Sequence, residues 1–71
     1  MKEEIFKLSG SEYIELMHLL KLMHIASSGG QAKLIIEKQE VKVNGYIELR
    51  KRAKLRPGDI VKVFDREILI Q

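Results

Sequence analysis

The sequence predicts an α+β fold in a single small domain, and three observations carry that expectation. From Glu12 to Lys38 the apolar residues recur at helical spacing. From Glu40 onward they alternate with polar ones over short runs, as in half-buried strands, and Asn44-Gly45 supplies a hairpin signal between two of them. The length of 71 residues leaves room for one domain spanning 1–71 and excludes a second. A chain this short buries only about 60% of the surface its unfolded form exposes. With no cysteine to form a disulfide, packing must hold it together.

Each element has its own justification. Glu3 to Leu8, EEIFKL, is a short apolar-containing run expected as a strand. Ser9 and Gly10 break it, and either Ser9 or Ser11 is a candidate cap for the helix that follows. That helix, from Glu12 to about Met23, carries only a narrow polar stripe of Glu12, Glu15, His18 and Lys21, so it is expected to be largely buried. A second helix from about Gly29 to Lys38 is expected to bury Ala32, Ile35 and Ile36 and to turn Gln31, Lys33, Glu37 and Lys38 outward. The few residues between them favour a helix pair.

Val41, Lys42 and Val43 then alternate into Asn44-Gly45, where both turn positions accept positive φ. The register stays open: a strict two-residue turn sets Val41 opposite Glu48 and sends Ile47 and Leu49 to the other face. After the basic run RKRAKLR (Arg50 to Arg56), Pro57-Gly58-Asp59 reads as a turn with proline at its favoured entry position. IVKVF and EILIQ close the chain as two short strands around Asp65 and Arg66.

Several function classes drop out. No apolar run approaches the roughly 18 residues of a membrane span. The N-terminus MKEEIFKLSG carries acids where a signal peptide needs bases and a long apolar stretch, so a cytosolic location is expected. His18 and His24, six residues apart, fall on different faces of one helix and make no two-ligand metal site. Ser27, Ser28 and His24 lack a nucleophile elbow and an orienting acid. Gly29 and Gly30 lack the spacing of a nucleotide-hydrolysing phosphate loop. The expectation is a non-catalytic protein with no metal, no cofactor and no small-molecule substrate.

The formal net charge is +3, and it is local. Residues 33–62 hold nine bases against four acids, whereas residues 1–32 and 63–71 each come to −1. Such a segment is the footprint of a polyanion partner, with a solvated lysine-rich surface as the plain alternative. The double glycine reads in two ways. Ser28 with Gln31 three residues later fits a capping box, which places Gly29 and Gly30 in the first turn with bare N–H groups open to an anion. Alternatively one glycine ends the preceding helix. Arg50, Lys51, Arg52 and Lys54 cannot share one face of an extended segment unless it twists or bulges; the plain alternative there is an edge strand protected by charge. Four aromatic residues are too few for a base-stacking platform, so recognition would lean on phosphates and shape.

The order of these pieces resembles the RNA-binding domain named after the small-subunit ribosomal protein S-four. Ser28, Ala32, Ile35, Ile36, Val41, Val43, Asn44, Gly45, Pro57, Gly58 and Asp59 fall at that family's spacing, over a core of about 12–64. Two positions depart from it: Gly29 stands where many members carry arginine, and Gln39 where glycine is usual. The SGGQAK form is similar to the small free-standing, YaaA-like branch. The resemblance implies the alpha-L fold, two short packed helices against a small, mostly antiparallel sheet. It implies binding of structured RNA, ribosomal RNA or a ribosome-associated assembly particle, in the bacterial cytoplasm. It places the binding surface on Ser28, Gly30, Gln31, Lys33, Lys38, Lys42, Asn44, Arg50, Lys51, Arg52 and Lys54, with Gly29 adding bare backbone. A second expectation is a module docking on an acidic protein partner without touching RNA, using exposed apolar residues of EILIQ at a sheet edge. Double-stranded DNA ranks last, for want of a helix with several base-reading side chains.

Overall fold

The computed structural model describes residues 2–71. Its elements are β1 (Lys2–Phe6), β2 (Ile14–Glu15), α1 (Leu16–Leu22), α2 (Gly29–Glu37), β3 (Val41–Val43), β4 (Tyr46–Ile47), β5 (Lys54–Leu55), β6 (Ile60–Val63) and β7 (Arg66–Ile70). Five strands form one sheet in the order β1-β7-β6-β3-β4. β1 runs parallel to β7 and the remaining pairs are antiparallel. β2 and β5 form a separate antiparallel ribbon beside the helices.

Period-two alternation decides which side of the sheet is covered. Val41, Val61, Val63, Ile68 and Ile70 are buried on one face, in one cluster with Leu16, Leu19 and Leu20 of α1, Ala32, Ile35 and Ile36 of α2, and Leu55 of β5. The helices therefore lie on that face and leave the other open. Among the described residues no polar or charged residue is fully buried, so the core is purely apolar. No helix among them is long and apolar enough to cross a membrane.

The helix ends explain the local sequence. α1 closes with His24 N–H bonded to Lys21 O and Ile25 N–H to Leu20 O, and α2 with Gln39 N–H to Ile36 O and Glu40 N–H to Ile35 O. Both are Schellman closures, with His24 at φ +58° and Gln39 at φ +62° in the left-handed position that glycine most often fills. Residue 39 thus occupies a position that suits glycine, and glutamine stands there at some strain.

The structure corrects four expectations. The first helix starts at Leu16 rather than near Glu12, and neither Ser9 nor Ser11 caps it. Ile14 and Glu15 pair instead with Leu55 and Lys54, and the first helical amides donate to backbone: Leu16 N–H to Ala53 O and Met17 N–H to Lys51 O, both at 2.9 Å. Nor is this helix as largely buried as expected, since Leu22, outside the polar stripe, is exposed. The last hairpin turns at Phe64-Asp65, one residue earlier than expected. Arg66 belongs to the strand because its guanidinium forks onto Glu4 (2.6 and 2.7 Å) and reaches Met23 O at 3.1 Å. Finally, β7 is no edge strand: it lies between β1 and β6 with Ile68 and Ile70 fully buried, which removes the apolar edge on which protein docking rested.

The Asn44-Gly45 hairpin adopts the strict two-residue register. Val43 faces Tyr46, Lys42 faces Ile47, and Glu48 N–H reaches Val41 O at 3.0 Å. Both turn residues take positive φ, +53° and +88°. The Pro57-Gly58-Asp59 turn closes with Asp59 N–H on Arg56 O at 3.0 Å and Gly58 at φ +99°, a conformation that suits glycine there.

Candidate nucleic-acid interface

The start of α2 is built as the capping motif suggests, with one change. Ser28 is the N-cap, and its hydroxyl accepts from Gln31 N–H at 3.1 Å. The Gln31 side chain, however, reaches back to Ser27, taking its backbone N–H and meeting its hydroxyl, rather than to Ser28 N–H. With the Gln31 amide occupied, Gly29 and Gly30 hold the first-turn N–H groups that have no intrahelical partner. Neither glycine is required sterically. A Cβ at Gly29 would stand 3.8 Å from Met17 Sδ and one at Gly30 3.9 Å from Ser28 Oγ, both ordinary contacts, and neither residue has positive φ.

The basic run meets this helix start because α1 grips it. Ala53 N–H on Arg50 O at 3.1 Å closes a tight turn with Lys51 and Arg52 at its tip, so the run is bent rather than extended. Ala53 is buried beneath it, and Met17, whose sulfur adjoins Gly29, donates its amide to Lys51 O. Lys33 and Glu37 of α2 line one shallow concavity with Leu49, Arg50, Lys51 and Arg52. Lys33 and Glu37 approach at 4.0 Å with both side chains more than half exposed, a contact worth little in water.

Arg50 differs from its neighbours. Glu48 holds it by two guanidinium bonds of 3.1 Å and accepts from its backbone N–H at 3.0 Å. The bonded Arg50 side chain keeps the Glu48 carboxyl below the usual glutamate range, and the carboxylate in turn raises the guanidinium. Arg50 therefore braces the turn, with its charge already matched, whereas Lys51 and Arg52 have no such pairing among the described residues. Lys54 continues the patch. Its ammonium lies 4.9 Å from the centre of the Tyr13 ring, and Arg56 lies 5.7 Å from the same ring. Tyr13 and Arg56 were not among the expected site residues. Arg56 belongs to the basic run, but the Tyr13 contact depends on the β2–β5 pairing, which spacing does not reveal.

Three expected residues fall elsewhere. Lys42 lies on the sheet face opposite the helices, because its neighbours Val41 and Val43 point inward. Lys38 sits with Gln31, Leu34 and Phe64 on the other flank of α2 from Lys33, as helical spacing requires. The Asn44 side chain, although exposed, is engaged within the chain: its Nδ2 donates to Asp59 Oδ1 at 3.0 Å and its Oδ1 accepts from Ile60 N–H at 2.9 Å. Asp59 Oδ2 also accepts from Arg56 N–H at 2.8 Å, so one carboxylate links the proline turn to the hairpin. Lys33, Lys51 and Arg52 line one concavity beside α2, Arg52 and Lys54 line the next, and Arg56 lies with Lys54 over Tyr13. Among the described residues no group of three or more histidines, aspartates or glutamates is placed to hold a metal ion.

Known proteins resemble this chain in sequence and in fold. The "Putative RNA-binding protein YbcJ" of Escherichia coli (strain K12) is 45% identical over 56 residues, covering 79% of this chain and 80% of that protein. The "Probable ribosome maturation protein RlbA" of Bacillus subtilis (strain 168) is 40% identical over 53 residues, 75% of each chain. The solution structure of YbcJ, described as revealing an alfaL motif involved in RNA-binding, matches with a TM-score of 0.70 at 38% identity, over 93% of this chain and 84% of that one. That likeness makes the two helices on a mostly antiparallel sheet an alpha-L fold. The family model described as the S4 domain matches residues 6–71, and the chain belongs to the S4 domain family.

Proposed function

We propose that this protein binds structured RNA without transforming it, through a face made by the start of α2, the Arg50–Ala53 turn and β5. The observation that carries this reading is the convergence at Met17. Its sulfur adjoins Gly29 and its amide holds Lys51 O, so two bare backbone donors and the Lys51–Arg52 tip sit side by side. Phosphate oxygens are the acceptors that such a mixture of N–H groups and cations suits. Among the described residues no helix presents several base-reading side chains, so recognition rests on backbone charge and shape, as for folded RNA. Tyr13, backed by Lys54 and Arg56, extends the face at one end.

The finer proposal is that the RNA is ribosomal, free or within an assembling ribosomal particle. The names of the relatives support it: RlbA is called a "Probable ribosome maturation protein" and YbcJ a "Putative RNA-binding protein". Crosslinking in cells followed by sequencing of the attached RNA tests the target, and enrichment of ribosomal RNA is the expected outcome. Enrichment of unrelated transcripts would remove the ribosomal assignment while leaving RNA binding intact. The binding face is tested by a Lys51→Ala/Arg52→Ala double variant, expected to weaken binding to a structured ribosomal RNA fragment by at least about tenfold. Unchanged binding by that folded variant would place the interface elsewhere.

A further inference from the structure

We propose that the open face of the five-stranded sheet is a self-association surface, occupied by the same face of a second copy of this chain. The face turned away from the helices carries two rows of side chains, fixed by register. One row is apolar, Ile5, Leu69 and Ile60 across β1, β7 and β6. The neighbouring row is charged and reads Glu3, Glu67, Lys62, Lys42 across β1, β7, β6 and β3, ending at Ile47 on β4. Ile5 is 58% and Ile47 48% exposed, and among the described residues no element packs over them.

The charge order carries the inference. Two acids stand directly opposite each other, and so do two lysines; like charges in such cross-strand pairs destabilise an isolated sheet. A single ion pair at the centre, Lys62 to Glu67 at 3.8 Å, relieves part of this. The sequence minus, minus, plus, plus is antisymmetric about the line between β7 and β6. A two-fold axis along that line, parallel to the strands, brings Glu67 against Lys62 of the partner subunit and Glu3 against Lys42 of the partner subunit. The same axis lays the apolar row on its own copy. Such self-complementarity is what an isologous dimer requires, and aligned sheets pack face to face in this way about 10 Å apart.

The scale follows from the size of the face. The molecule measures 29 × 23 × 19 Å, so the patch is smaller than the roughly 800 Å² per partner of a standard stable interface. The dimer is therefore concentration-dependent and salt-sensitive. It leaves the helices on the two outer sides, with the basic faces pointing away from each other.

Sedimentation equilibrium of the full chain at low ionic strength, from about 10 μM to about 1 mM, tests this. The expected result is a mass rising from 8.2 kDa toward twice that value, and falling back in about 0.5 M salt. Lys42→Glu, an exposed substitution, sets acid against acid and abolishes the rise. The double variant Glu3→Lys/Lys42→Glu restores antisymmetry and recovers it. A chain that keeps its monomer mass throughout overturns the proposal, whether the face stays bare or takes another protein. So does association that Lys42→Glu leaves intact, or that the double variant fails to recover.

Discussion

Replacing Asn44 with alanine removes the link between the hairpin and the proline turn, and its cost can be worked out from the contacts. Two hydrogen bonds vanish, from Nδ2 to Asp59 and from Ile60 N–H to Oδ1. Both are solvent-accessible, so each is worth about 0.5–1 kcal/mol, the lower part of the usual range. Alanine must also adopt φ +53°, which asparagine tolerates and alanine does not, at about 1 kcal/mol more. The total is about 2–3 kcal/mol. At about 4–8 °C per kcal/mol for a domain of this size, thermal unfolding followed by circular dichroism should show Tm lower by roughly 10–20 °C. Asn44→Gly separates the two contributions, because glycine accepts positive φ and loses only the hydrogen bonds; its Tm should lie between those of wild type and Asn44→Ala. An Asn44→Ala variant within about 2 °C of wild type would refute the argument. Equal losses for alanine and glycine would refute its conformational half.

Three further outcomes are expected. Gln39→Gly relaxes the left-handed position at the end of α2 and should stabilise the protein by about 1 kcal/mol, raising Tm by about 4–8 °C. Gly29→Arg should fold normally, since its Cβ has room, and should tighten RNA binding with a steeper salt dependence, both measurable by filter binding. Glu4 and Glu48 both titrate below the usual glutamate range, chiefly through side-chain bonds to Arg66 and Arg50. Since the folded state depresses these values, the stability they supply is full above the ordinary glutamate pKa of about 4.3 and is lost as pH falls through their lower folded values. Denaturant titrations between neutral and acid pH should show that loss, and Glu4→Gln and Glu48→Gln should each flatten it.

How far the sequence predicted these features depended on how local their causes are. Ser28, Ala32, Ile35 and Ile36 set the start and buried side of α2 within one helix, and the expected Gly29 start and apolar side match the structure. Asn44-Gly45 likewise determined its own turn. The start of α1 was misplaced because its capping partners, Ala53 O and Lys51 O, lie far along the chain. The same distance hid the parallel pairing of β7 with β1, which turns an apparent edge into the sheet interior. For the interface, the sequence identified the basic run but not its division of labour. Only the folded chain distinguishes Arg50, held by Glu48, from Arg52 at the turn tip, or assigns Lys42 to the far face.

The salt dependence of RNA affinity, measured for wild type, Arg52→Ala and Lys42→Ala on one structured RNA, tests the RNA-binding face most directly. With Lys33, Lys51, Arg52 and Lys54 on phosphates, the slope of log K against log salt should be roughly −3 to −4 for the wild type. Arg52→Ala should make it shallower by about one, and Lys42→Ala should leave it unchanged. A flat wild-type slope, or a Lys42→Ala loss equal to that of Arg52→Ala, would contradict the account.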